Sequence, residues 1–170
     1  MGAKTQILLV IALLSGSAQA AERVDARQHS AFWLWSGVKA SNDLQNAQTV
    51  YLHQGEVLTR AGEVIFQRLG LPVSRLTFPA IWLTVRFTTL DVPQTIVPRI
   101  VRLMQRWREA GNQVVGLQVD FDAATYQLAD YAQFLQQLRQ QLPPEFALGV
   151  TGLLDWAKTG DIATLNTLAV

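Results

Sequence analysis

Two aspartates stand two residues apart at the end of an apolar run. The segment 114–122 begins Val-Val-Gly-Leu and ends in Asp120 and Asp122. Side chains alternate across a β-strand, so both acids would share one face, with their Cα atoms about 6–7 Å apart. Two carboxyl groups at such a spacing could form the pair that glycoside hydrolysis requires. The alternative is that the aspartates only cap the helix that follows.

Three further polar side chains lie at or near the ends of predicted strands. Arg86 is expected beside Asp120, either as an electrostatic partner in a site or as half of a structural ion pair. Glu56 could supply a further carboxylic acid, or it could be a solvated loop residue. His53 could be a base or a ligand, although a lone histidine is more often structural. No compact metal-ligand motif accompanies these residues, so we predict no metal site and no cofactor.

The chain has five tryptophans, a high number for its length. Tryptophan offers a flat apolar surface with one N–H donor, which suits the apolar faces of sugars. Trp35 and Trp156 lie near the C-terminal ends of predicted strands, so they are the candidates for substrate binding. Trp33 and Trp82 are expected in the core. For each tryptophan, packing is the alternative role.

The first twenty residues have the features of a secretory signal peptide. Lys4 precedes an apolar run at 7–14, and a small-x-small site ends at Ala20. Cleavage there would leave residues 21–170 in the periplasm or outside the cell. An uncleaved anchor is the alternative, although the apolar run is short for a bilayer. No later segment has about 18 consecutive apolar residues, so we expect no stable membrane insertion.

Charge and cysteine content exclude several classes of protein. Removing Lys4 reduces the 14 basic residues to 13, which balances the 13 acidic residues and gives a net charge of zero. This balance argues against nucleic acid and other polyanions as general partners. The absence of cysteine excludes disulfides and thiol chemistry.

Strands and helices alternate along the chain. The pattern predicts strands at 31–36, 49–54, 80–87, 114–122 and 146–151, with a loop or hairpin between the second and third. One helix is predicted after Asp91 and Pro93, with a buried stripe of Ile96, Ile100, Leu103 and Trp107. A second has the stripe Leu128, Tyr131, Leu135, Leu138 and Leu142, and a weaker third spans 155–168.

This alternation predicts an α/β fold with parallel, right-handed units. We expect a partial TIM-type (β/α) barrel of about five parallel strands, because a complete barrel typically needs about 250 residues. A compact open sheet is the alternative. Unpaired strands at the two edges would favour self-association.

Five segments in order carry a resemblance to a known family: 32–35, 50–56, 83–87, 116–125 and 148–156. Together they resemble the exported bacterial domain-of-unknown-function family three-one-four-two, from about Ser30 to the C-terminus. Members of that family look like glycosidase-type (β/α) barrels and normally continue further. The resemblance therefore implies a C-terminally truncated barrel.

A more distant similarity links Asp120-Phe-Asp122 to the Asp-x-Asp-x-Glu strand ending of family-eighteen chitinases. The catalytic glutamate of that pattern is Ala124 here, so the substrate-assisted mechanism does not carry over. Three hypotheses follow. The protein is a glycosidase-like barrel that hydrolyses or recognises a polysaccharide or glycan, a non-catalytic carbohydrate- or envelope-binding module, or an inactive truncated remnant.

Overall fold

A computed structural model describes residues 25–39, 42–159, 162–166 and 168. The predicted signal peptide and its cleavage site after Ala20 lie outside the described residues. Among the helices that are described, none combines the length and the apolar character needed to cross a bilayer.

The described chain contains six strands and four α-helices, with three short 3-10 helices. The strands are β1 (Ala31–Leu34), β2 (Thr49–Arg60), β3 (Glu63–Arg68), β4 (Ala80–Phe87), β5 (Val114–Asp120) and β6 (Ala147–Val150). The α-helices are α1 (Ile96–Glu109), α2 (Leu128–Gln141), α3 (Leu154–Thr159) and α4 (Ile162–Asn166). The 3-10 helices are Ala26–Gln28, Asn42–Asn46 and Thr125–Gln127. The region predicted as one weak helix thus contains two short ones.

Five strands form a parallel sheet in the order β1-β2-β4-β5-β6. The order follows the chain without the reversal that defines doubly wound sheets. A sheet wound in one direction, with its helices on one face, is the arrangement of a (β/α) barrel. The prediction of an α/β fold with about five parallel strands is therefore confirmed, and the topology is consistent with a partial barrel.

The connection between the second and third predicted strands is a hairpin. β3 pairs with β2 in antiparallel register from Gly55↔Arg68 to Arg60↔Glu63. The two turn residues, Ala61 and Gly62, have φ angles of 50° and 83°. Positive φ at both positions is typical of a type I′ turn, whose twist matches that of the flanking strands.

The helices α1 and α2 cover one face of the sheet, as their apolar stripes predict. All nine predicted stripe residues are buried. They pack against sheet residues such as Leu83 and Leu117. The residue before α1 is Thr95, so Asp91 lies four residues too early to cap this helix.

Candidate functional site

A bulge in β2 determines which residues face away from the helices. The register with β4 shifts between His53 and Gly55, so that His53 pairs with Thr84 and Glu56 pairs with Arg86. Residues three apart in a regular strand lie on opposite faces. The extra residue of the bulge instead brings His53 and Glu56 onto the same face.

Gln54 occupies the bulge, with its side chain on the helix side of the sheet. Its Oε1 accepts hydrogen bonds from Trp107 Nε1 at 2.8 Å and from Arg68 Nη2 at 3.2 Å, and its Nε2 donates to the carbonyl oxygens of His53 and Leu71. These bonds tie the bulge to α1 and to β3. They stabilise the placement of the residues on either side of Gln54.

Glu56, Arg86 and Asp120 form one row across three neighbouring strands. Adjacent strands are about 4.7–4.9 Å apart, which places the Cα atoms of Glu56 and Asp120 about 10 Å from each other. Asp120 is only 7% exposed, whereas Glu56 is half-buried. The structure therefore brings a second carboxylate, Glu56, into the row of the deeper aspartate.

Arg86 does not pair with Asp120 as the sequence led us to expect. It is the register neighbour of Asp120, but its Nη2 donates to Asp122 Oδ2 at 3.0 Å. The side chain of Asp122 is 60% exposed. At the start of the next 3-10 helix, Gln127 Oε1 accepts from the Ala124 backbone N–H at 3.1 Å. Asp122 is thus the partner of an exposed arginine, while a glutamine caps the turn.

His53 is buried next to the residues that follow β1, and the two carboxylates of the row are near enough to influence its charge. Its Nδ1 lies 3.0 Å from Ser36 Oγ, and its ring packs against Trp35 with centroids 4.7 Å apart. Burial lowers the pKa of His53, an effect that the negative charges of Glu56 and Asp120 partly oppose. Its Nε2 has no hydrogen-bond partner among the described residues.

Two more buried hydroxyls lie near Asp120 without a hydrogen-bond partner among the described residues: Tyr131 Oη and Thr151 Oγ1. Burial, and next the Asp120 carboxylate, raise the pKa of Tyr131 far above its usual value. The Thr151 backbone N–H donates to the Val119 carbonyl at 3.0 Å, beside Asp120 in the sheet. With His53 Nε2, three buried polar atoms without a hydrogen-bond partner among the described residues thus lie in the region of Asp120.

Sequence reasoning missed Ser36 and Tyr131 as members of this cluster. Tyr131 was predicted as one member of a core-facing stripe, and it is indeed buried. The signal in the sequence was its hydroxyl group. A tyrosine in a stripe of leucines buries a hydroxyl that needs a hydrogen-bond partner, which indicates polar groups nearby. Ser36 carried no distinguishing signal in the sequence.

An aromatic stack continues the same face towards the N-terminal ends of the strands. Trp33 stacks on Trp35 at 5.7 Å and on Tyr51 at 5.1 Å, and Tyr51 lies 6.2 Å from Trp82. Trp33 is 38% exposed, although we expected it in the core. The stack therefore includes a partly exposed indole in the edge strand β1.

Trp156 has a different environment from the one expected of a sugar-binding platform. It is 4% exposed, and its Nε1 donates to the Ala123 carbonyl at 2.8 Å. Its ring packs against Tyr131 at 6.1 Å. In this structure Trp156 is part of the core beneath the candidate site, because its indole face is covered.

A small pocket opens beside His53. Its volume is about 250 Å³, and its lining includes Trp35, Ser36, Lys39, His53 and Gly70. No group of three or more histidine, aspartate or glutamate side chains in the described part of the chain is arranged to hold a metal ion.

Residues 74–169 match the sequence profile of a family described as a domain of unknown function (DUF3142). This chain belongs to that family. The match begins after the β2–β3 hairpin and includes Arg86, Asp120 and Tyr131, whereas His53 and Glu56 precede it. Comparisons with curated proteins and with solved structures gave no match.

Proposed function

We propose that the protein is exported and binds carbohydrate on the face of the sheet that lies opposite α1 and α2. The observation that supports this proposal is the continuity of the aromatic stack with the polar row. Trp33 and Trp35 would stack on the apolar faces of sugar rings. His53, Glu56 and Asp120 would bond to the sugar hydroxyls beyond them.

Binding experiments with Trp33 variants test the proposal. Purified protein would be titrated with a panel of bacterial oligosaccharides, and the change in tryptophan fluorescence would be measured. Trp33→Ala should weaken binding at least about fivefold, since an aromatic contact contributes on the order of 1 kcal/mol or more. Tyr126→Ala is the matched control, because Tyr126 is exposed and lies outside the stack.

The outcomes are distinct. Loss of binding in Trp33→Ala alone supports the aromatic face as the binding site. Equal binding in wild type and Trp33→Ala, or no binding of any sugar in the panel, contradicts the proposal.

Hydrolysis is a second candidate function, and the position of Glu56 favours it. We propose Glu56 and Asp120 as the carboxyl pair, in place of Asp120 and Asp122. Inverting glycosidases hold their two carboxyl groups about 6.5–9.5 Å apart so that a water molecule fits between sugar and base. Glu56 and Asp120 stand at the two ends of a row of three residues, with Cα atoms about 10 Å apart. This separation suits inversion better than retention.

The release of reducing ends from the same oligosaccharides tests this second function. Asp120→Asn and Glu56→Gln should each abolish hydrolysis, whereas Asp122→Asn should retain it. If the wild type binds sugars but does not hydrolyse them, the second function is contradicted and the protein is a non-catalytic carbohydrate-binding module. Hydrolysis that persists in Glu56→Gln would remove Glu56 from the pair.

A further inference from the structure

A basic groove lies on the helix side of the sheet, between β3 and the exposed face of α1. Its volume is about 500 Å³, and four arginines line it: Arg68, Arg99, Arg102 and Arg106. Glu109 is the acidic residue of its lining. The groove is thus strongly basic, although the chain as a whole is close to neutral.

The spacing of the arginines on α1 makes a straight row. Arg99, Arg102 and Arg106 follow the i, i+3, i+7 pattern of one helix face, so the row is about 10 Å long at 1.5 Å per residue. Arg68 approaches this row from the last position of β3. The groove therefore presents several guanidinium groups along one line.

The four arginines have no carboxylate partner among the described residues. The ion pairs there join Arg27 to Asp25, Arg86 to Asp122 and Arg108 to Glu145. Arg99 instead donates to the Phe66 carbonyl at 3.3 Å and lies 5.9 Å above the Phe66 ring. Arg68 donates to the neutral Gln54 amide. Neutral groups therefore position the charges of Arg99 and Arg68 without neutralising them.

The four arginines are exposed residues. Like charges placed close together on a concave surface repel one another, and a bound anion would relieve that repulsion. The pKa of Arg68 is lowered mainly by its partial burial, and secondarily by the positive charge of Arg106. A purely structural role would not require so many uncompensated guanidinium groups in one groove.

We infer that the groove between β3 and α1 binds a ligand with two or more closely spaced anionic groups. Planar guanidinium groups bind phosphate and carboxylate oxygens through paired N–H donors. The row of three arginines could contact successive anionic groups, and Arg68 would close the groove from the β3 side. The inference is independent of the carbohydrate-binding face, which lies on the other side of the sheet.

Isothermal titration calorimetry of the purified full chain with two probes tests this inference. Inorganic pyrophosphate supplies phosphate oxygens, and trigalacturonate supplies carboxylates on a sugar chain. At least one probe should bind, and the double variant Arg102→Gln/Arg106→Gln should weaken it at least about tenfold, the usual effect of losing a charge-assisted hydrogen bond. Raising the salt concentration should also weaken binding.

Arg108→Gln is the matched control. It removes one charge from the same helix, but Arg108 lies outside the groove and faces Glu145 at 3.5 Å. The affinity of this variant for the probe should stay within about twofold of wild type. Arg108 lies outside the groove, so salt screens most of its attraction for the bound anion. If just one of the two probes binds, that probe identifies the ligand chemistry: phosphate for pyrophosphate, carboxylate for trigalacturonate. Failure of both probes, or equal weakening in Arg108→Gln and in the double variant, overturns the inference.

Discussion

Arg86 donates a hydrogen bond to Asp122 at 3.0 Å, although its neighbour in the sheet register is Asp120. The exposed aspartate takes the guanidinium group, and the buried one remains beside His53 and Tyr131. The two carboxylates that look equivalent in the sequence thus differ in burial and partner. This difference is the reason for proposing Asp120, and not Asp122, as a member of the carboxyl pair.

A double-mutant cycle would measure how little this ion pair contributes to stability. Arg86→Gln, Asp122→Asn and the double variant should give a coupling free energy below about 1 kcal/mol, because both side chains are largely exposed to water. The free energy of unfolding would be obtained from urea titrations. A coupling free energy of several kcal/mol would contradict this expectation. It would mean that the Arg86–Asp122 ion pair stabilises the fold despite its exposure.

His53 should make stability depend on pH. Its pKa in the folded protein is lower than the ordinary value of 6.5, so the unfolded chain binds a proton first as the pH falls. The stability present above pH 6.5 should therefore decrease as the pH falls from 6.5 towards the pKa of the folded state. Urea titrations between pH 7.5 and about 5 would measure this loss.

His53→Gln should flatten that decrease, because it removes the imidazole whose pKa is lowered in the folded protein. The same slope in wild type and His53→Gln would show that other groups cause the pH dependence.

Gly116→Ala should destabilise the sheet beneath the aromatic stack. A methyl group at this position would lie 2.8 Å from Trp82 Cζ3 and would also overlap the backbone of Ala147. Overpacking of this kind costs about 1–3 kcal/mol. Gly152→Ala is the control, since nothing lies within 4 Å of the added methyl group. Thermal unfolding of both variants would show the contrast, and equal melting temperatures would refute the close contact with Trp82.

The turn between β2 and β3 offers a stabilising substitution. Ala61 has a φ of 50°, a left-handed conformation that asparagine adopts more readily than alanine. Ala61→Asn should raise the free energy of unfolding by about 0.5–1 kcal/mol. Gly62→Ala should lower it by about 1 kcal/mol, because Gly62 has a φ of 83°. A destabilised Ala61→Asn variant would contradict the type I′ assignment.

Much of the fold was predictable because its signals are local. The apolar stripes of α1 and α2 followed helical spacing, and the glycines and prolines between the second and third strands indicated a loop or hairpin. The two aspartates were also predicted at the end of a strand, and β5 ends at Asp120.

The site was less predictable because its geometry depends on contacts between distant segments. A regular strand would place His53 and Glu56 on opposite faces, and the bulge at Gln54 is stabilised by Trp107, 53 residues later. The partner of Arg86 likewise depends on the direction of a flexible side chain. The exposure of Trp33 depends on its place in the edge strand β1, which alternation within one strand does not reveal.

The two-residue turn at Ala61 and Gly62 also bears on the order of folding. A turn this short closes its strands with little loss of chain entropy, so the β2–β3 pair can form within microseconds, before contacts between distant segments. Two parallel strands can pair only after the long crossover connection between them has closed, which costs more chain entropy. An early hairpin would fix the register of β2 from Gly55 onwards and give β4 a template to join. Substitutions in the hairpin should then slow folding, and substitutions in β6 should mainly speed unfolding.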